Sequence, residues 1–215
     1  MHVLVRRTAV LALVAALTAG CSKVPGVYVY EKDGQAAAAK AKAGGGADPA
    51  TYVAGNWASR IVPTVHDKAV DVGTVAAAIA KDPAAAGRQY GHQSGTGSPF
   101  AYLVKGEGTV TDVDTSVPTG PMTVEVGTTK VTIATGPVIA GTAVRDAVGF
   151  IAFGDFTNQI DYAEVANQIN NKVKTEVIAK VDRDTLKGKK VGFYGAFSAL
   201  APGTIFLVPT ELSLS

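Results

Sequence analysis

The sequence predicts an α+β protein, a small helical subdomain followed by a partly open antiparallel β-barrel that carries one long amphipathic helix. Three observations predict it. Between residues 48 and 95, Asp or Asp-Pro starts punctuate runs whose apolar residues recur at helical spacing. From Phe100 the apolar period changes to two, the mark of half-buried strands. Residues 161–180 then return to the helical period before two closing strand-like stretches.

The first twenty residues stand apart from this pattern. Basic Arg6 and Arg7 precede an apolar run over residues 9–17, and small Thr18-Ala19-Gly20 lead into Cys21, the layout of an export signal. That run is about half of the ~20 residues needed to cross a bilayer, so it suits translocation rather than permanent spanning. Leu17-Thr18-Ala19-Gly20-Cys21 further predicts a lipoprotein, because lipid transfer needs a thiol nucleophile and the peptidase needs small residues before it. Cys21 is the only cysteine, which excludes a disulfide within the chain and leaves a thioether as the thiol's use. An ordinary secretory signal with an incidental cysteine is the competing reading, disfavoured because Cys21 falls where the small residues end. Two acyl chains give lasting anchorage where one of myristoyl size, at about 0.8 kcal/mol per buried methylene, binds marginally. Arg6-Arg7 lacks the bulky residues that follow a twin-arginine signal, so the general secretion route is expected.

Residues 21–47 read as a flexible tether. Val27-Tyr-Val-Tyr30 could form a short strand, but residues 35–47 are nearly all Ala, Lys and Gly, with too little apolar bulk to fold alone. A solvated Ala/Lys helix over part of this stretch is the alternative.

The helical subdomain is assigned to residues 48–95. Asp48-Pro49 sets a capping carboxylate before a proline at the first helical position, and Tyr52, Val53, Trp57 and Ile61 then share a face. Pro63 ends or kinks that helix. Asp71 caps a run to Lys81 with Val72, Val75, Ala76 and Ile79 aligned, and Asp82-Pro83 opens a further turn or two ending near Gly91.

The barrel domain is assigned to residues 96–215. A long strand covers residues 102–114, where Gly106 and Gly108 suggest a bulge or strong bend. Met122, Val124 and Val126 alternate with polar residues, as do Val131 and Ile133, so Gly127-Thr128 turns a hairpin. Asp161-Tyr162-Ala163-Glu164 has capping-box spacing, and Tyr162, Val165, Ala166, Ile169, Val173 and Val177 form an apolar stripe. Closing strands fall near residues 190–197 and 205–214, separated by Pro202-Gly203. Bent strands, an intervening helix and closing strands point to a barrel of oligonucleotide/oligosaccharide-binding (OB) type.

Two blocks carry a family resemblance: Tyr52-Val-Ala-Gly-Asn-Trp57 running to Asp82-Pro-Ala-Ala-Ala-Gly-Arg88-Gln-Tyr90-Gly91, and Gly136-Pro-Val-Ile-Ala-Gly141-Thr-Ala-Val-Arg145-Asp146 running to Phe153-Gly-Asp155-Phe156-Thr-Asn158-Gln159-Ile-Asp-Tyr162. With the lipoprotein-type signal they resemble a family of predicted periplasmic lipoproteins often encoded beside sugar ABC transporter genes. The resemblance covers the chain from about residue 48 onward. It implies a helical subdomain joined to an OB-type barrel and a setting in carbohydrate uptake, and it supplies no catalytic residues. The long Ala/Gly/Lys tether departs from the family pattern.

Charge and motifs narrow the function classes. The formal net charge is +2, from 20 basic and 18 acidic residues, and falls to zero once Arg6 and Arg7 are removed. A neutral chain without a basic run offers little to nucleic acid, so no nucleic-acid partner is expected. Gly-x-Ser-x-Gly, His-Glu-x-x-His and phosphate-loop motifs are absent from the sequence, and neither cofactor nor metal is expected. His66 and His92 read as solvated helix-end residues, without a metal-like partner apart from Asp67. Asp112-Val-Asp114-Thr-Ser116 opens like a calcium loop, but Val117 and Thr123 stand where glycine and glutamate belong, so it reads as a polar turn.

The candidate ligand or partner contacts are Arg145, Asp146, Asp155, Asn158, Gln159 and Trp57. The first five set a cation, carboxylates and amides among Phe150, Phe153 and Phe156, the mixture of planar polar groups and aromatic faces that binds sugars. The structural reading of the same residues is that Arg145 and Asp155 brace a chain crossover while Asn158 and Gln159 bond backbone before a helix cap at Asp161. Trp57 reads either as a core residue or as a sugar platform. The expected function is that of a non-enzymatic, membrane-anchored accessory or binding protein of carbohydrate transport, contacting a transporter component or a saccharide. A structural envelope protein without a small-molecule ligand is the alternative, and an enzyme the third.

Overall fold

The structure is a computed structural model that describes residues 46–214. The expected signal peptide, Cys21 and the tether up to residue 45 lie outside the described residues. The described residues fall in one compact unit.

The helical region begins as the caps dictate. Asp48 Oδ2 accepts from the Thr51 amide at 2.8 Å, and α1 runs Pro49–Asn56. Pro63 neither ends the helix nor breaks its path. A π-helical turn, Trp57–Ile61, widens the coil ahead of it, the Val62 amide bonds back to the Trp57 carbonyl, and α2 continues as Val62–Lys68. The extra residue supplies the room that a proline ring otherwise lacks against the preceding turn. A two-residue strand β1, Val70–Asp71, leads into α3, Val72–Lys81, capped by Asp71 on the Thr74 amide. Asp82 Oδ1 accepts from both Ala84 and Ala85 amides and starts α4, Pro83–Tyr90, which ends in the short strand β2, Gly91–His92.

Five further strands make the barrel: β3 Ala101–Val113, β4 Pro121–Val126, β5 Thr129–Ala134, β6 Lys190–Ser198 and β7 Phe206–Leu214. They pair in the ring β3–β4–β5–β7–β6–β3, antiparallel except for β5–β7. The ring therefore closes, where the sequence suggests a partly open barrel. Its short seam is the parallel pair, two registered positions at Thr132–Phe206 and Ile133–Leu207. The long β3 makes closure possible, pairing with β6 over residues 101–109 and with β4 from Thr109 onward.

The glycines of β3 do not form its bulge. The register shift lies between Val110 and Asp112, while a Cβ on Gly108 would stand 2.2 Å from the Glu125 carbonyl oxygen. Only a residue without Cβ lets β4 approach there. The β4–β5 turn fits type II′, with Gly127 at φ +57° and no other residue type at positive φ among the described residues.

Alternation along the strands divides the apolar residues between two cores. Tyr102, Val104, Val124, Ile133, Phe193 and Leu207 point into the barrel, which α3 closes at one end with Val72 and Val75. Ala101, Leu103, Ala196 and Val208 point outward into a second core built from α1, the π turn, α2 and two helices between β5 and β6. These are α5, Ala143–Ala147, and α6, Gln159–Lys172, the latter extended by a π turn, Val173–Val177, and a 3-10 turn, Ile178–Lys180.

Candidate functional site

Arg145 sits on α5, whose five residues are mostly buried, and its own side chain is 9% exposed. Burial of a guanidinium demands partners, and Asp146 and Tyr162 supply them. Nε donates to Asp146 Oδ1 at 2.8 Å, Nη2 forms an ion pair with the same oxygen at 2.8 Å, and Nη1 donates to the Tyr162 carbonyl at 3.1 Å. The guanidinium also lies 3.9 Å from the centre of the Tyr162 ring. Asp146 Oδ2 accepts in turn from the Thr142 hydroxyl at 2.6 Å. Tyr162 meets Phe153 edge-on and lies against Phe156, which meets Tyr52. Burial raises the Tyr162 phenol above its ordinary pKa, with Arg145 opposing and Asp146 and Asp155 adding to the rise.

This arrangement ties α5 to α6 and to α1. Arg145 is held by its neighbour Asp146 and by the Tyr162 carbonyl, and among the described residues it forms no ion pair with Asp155. Asp155 Oδ2 instead accepts from the Ala152 amide and closes a local turn, and its carbonyl accepts from the Ala47 amide. The cap is corrected: Asn158 Oδ1 accepts from the Ile160 and Asp161 amides, so α6 starts at Gln159 and Asp161 lies inside it. Glu164, the expected far half of the capping box, bonds Asn167 and Gln168 instead. Gln159 is exposed in the first turn. Thus the structure brings Arg145, Asp146 and Tyr162 together, gives Asp155 and Asn158 local roles around them, and leaves Gln159 exposed.

The two histidines differ. His66 is half exposed in the last turn of α2 and stacks on Tyr194 at 4.4 Å. His92 lies in β2 rather than at a solvated helix end, with Nδ1 2.7 Å from the Asp146 carbonyl oxygen. A carbonyl only accepts, so Nδ1 carries the proton in this contact. Asp114 folds a polar turn by accepting from the Ser116 amide and hydroxyl. Among the described residues no group of three His, Cys, Asp or Glu side chains is placed to hold a metal ion.

Trp57, by contrast, borders a half-open groove of about 540 Å³. It is 4% exposed and belongs to the second core, so its ring faces are not a platform. Its indole Nε1 donates to Glu176 Oε2 at 2.8 Å across 119 residues of sequence, and Lys172 donates to Glu176 Oε1 at 2.7 Å. The Lys172 hydrogen bond holds the Glu176 carboxyl below its ordinary 4.5. Burial opposes this, while the Lys172 charge, the Trp57 bond and the Lys180 charge support it. Both π turns reach the groove, one through Trp57 and the other through Glu176. The opposite wall is β7, where a register shift against β6 leaves Thr210 as the extra residue beside Glu211. Sequence reasoning found Trp57 but missed Glu176, Lys180 and Glu211. The Lys172–Glu176 spacing is legible on a helix, whereas the distant Trp57 partner is not.

Together, fold and groove define a class, the OB-type barrel with helices inserted between its third and fourth strands and packed on its outer wall. A crystal structure of an OB-fold protein from Thermotoga maritima matches this fold with a TM-score of 0.62 at 19% sequence identity, covering 79% of this chain and 99% of that one. No curated protein matches the chain. The chain belongs to the family described as "Predicted periplasmic lipoprotein (DUF2291)", whose model matches residues 11–213. It is a periplasmic lipoprotein of the cell envelope, and the family resemblance of its two sequence blocks holds. No helix among the described residues is long and apolar enough to cross a membrane.

Proposed function

We propose that this lipoprotein is a non-enzymatic accessory of carbohydrate uptake, anchored by acyl chains on Cys21 after removal of residues 1–20, that works by binding a saccharide or a transporter component. The observation that carries this reading is the closed OB-type ring with helices on one wall and a half-open groove beside them. Barrels of this type serve as platforms for oligosaccharide recognition. The polar cluster around Arg145 has its groups engaged with one another, which suits a brace behind the helices and leaves the groove as the place for a ligand or partner. The carbohydrate setting draws on the gene neighbourhood that the family resemblance implies.

The test is gentle crosslinking of the native protein in cells grown on inducing sugars, followed by purification and mass spectrometry. Co-purification of a solute-binding protein or permease is expected, with a diacylglyceryl thioether at Cys21. Recovery of the lipoprotein alone under every sugar would overturn the association with transport. An amino terminus upstream of Cys21, or an unmodified thiol, would overturn the anchor.

A further inference from the structure

We propose that the groove beside Trp57 is a binding site for a neutral saccharide unit, an assignment that rests on the accessory reading above and names its ligand site. Three departures from regular backbone meet at this one place: the π turn at Trp57, the π turn at Glu176 and the β7 bulge at Thr210. Each gives up regular hydrogen bonding to re-aim side chains, and such irregularities recur at functional sites. Pro63 accounts for the first π turn. The second contains neither proline nor glycine, and its extra residue delivers Glu176 to the indole N–H.

The chemistry of the walls fits a polyol. Glu176 is fixed as a carboxylate by Lys172 and Trp57, leaving lone pairs on two oriented oxygens for sugar hydroxyls. Glu211 on β7 adds a second acceptor, and Lys180 adds a donor near Glu176. Among the described residues neither Lys180 nor Glu211 is engaged in an ion pair. Leu212 supplies an apolar surface for the C–H face of a pyranose. Lys172 and Lys180 balance Glu176 and Glu211, so the groove has no excess positive charge to hold an anionic ligand. The volume of about 540 Å³ is within the range of small-ligand sites.

Trp57 is the only tryptophan, so the groove carries its own probe. The experiment titrates the lipidated full-length protein in detergent with glucose, galactose, xylose, ribose and maltose while following Trp57 emission. A saturable change with at least one sugar is expected. Glu211→Gln and Lys180→Ala, which leave the second core untouched, each weaken it at least tenfold, and Glu125→Gln on the outer face of β4 leaves it unchanged. A saturable response that the groove variants do not alter would overturn the site. No response to any sugar would overturn it too, as would a response only to an extended valine–threonine pentapeptide, which would assign the groove to strand addition on β7. The two proposals fail separately. Co-purification with a permease and no sugar response sinks the groove alone, whereas a groove-dependent sugar response without a transport partner sinks the transport association alone.

Discussion

Arg145 and Glu176 show how single side chains set the character of this protein. Arg145 and Asp146 are 9% and 12% exposed, so removing one partner strands the other in a poorly solvated place. Arg145→Ala is expected to cost about 3 kcal/mol in urea denaturation. Arg145→Lys recovers less than half of that, because an ammonium cannot make the forked contact and stack on Tyr162. A loss below about 1 kcal/mol would show that the pair does not brace the fold. Glu176 makes a prediction in pH. Its folded-state pKa is lowered, chiefly by the Lys172 hydrogen bond, so its contribution is complete above 4.5 and is lost as pH falls through the lowered value. Trp57 emission is therefore expected to be flat from pH 7 to 5 and to shift below 4.5, with the shift absent in Glu176→Gln. A midpoint above 4.5 would refute the assignment.

At the scale of elements, caps and glycines decide where helices begin and strands meet. Asn158→Ala removes two bonds to the first turn of α6 and is expected to cost about 1 kcal/mol, with faster amide exchange at Ile160 and Asp161. Asp161→Ala should cost less, and the reverse order would restore the cap suggested by the sequence. Gly108→Ala is expected to disrupt the β3–β4 pairing outright, because the new Cβ meets backbone rather than a movable side chain. Loss of soluble folded protein, or a large fall in Tm, is the measurement. The Asp48, Asp71 and Asp82 caps and the Gly127 turn were legible because each depends on residues within a few positions. The α6 start was not, since Asn158 and Asp161 are both competent caps three residues apart. The buried Phe156 fixes the preceding chain, and Asn158 is the cap in the folded structure.

The whole molecule is held by strands that serve two cores at once. Leu103 and Ala196 face the helices, while Val104 and Phe193 on the same two strands fill the barrel. Unfolding is therefore expected to be a single transition in which Trp57 emission, reporting the helical core, coincides with the far-ultraviolet signal of the whole body. A Trp57 transition that precedes the other would mean that residues 48–95 form an autonomous subdomain.

Local chemistry, written in short stretches of sequence, determined the lipoprotein family, the helix caps, the hairpin and the alternation that makes β3 to β7 a barrel. Those features depend on neighbours along the chain, and a linear reading contains them. Only the tertiary structure decided that the ring closes, that Arg145 turns to Asp146 and Tyr162, and that Trp57 meets Glu176 beside β7. Such contacts depend on how packed elements are oriented in space. A sequence states which side chains can bond, and packing chooses among the partners it allows.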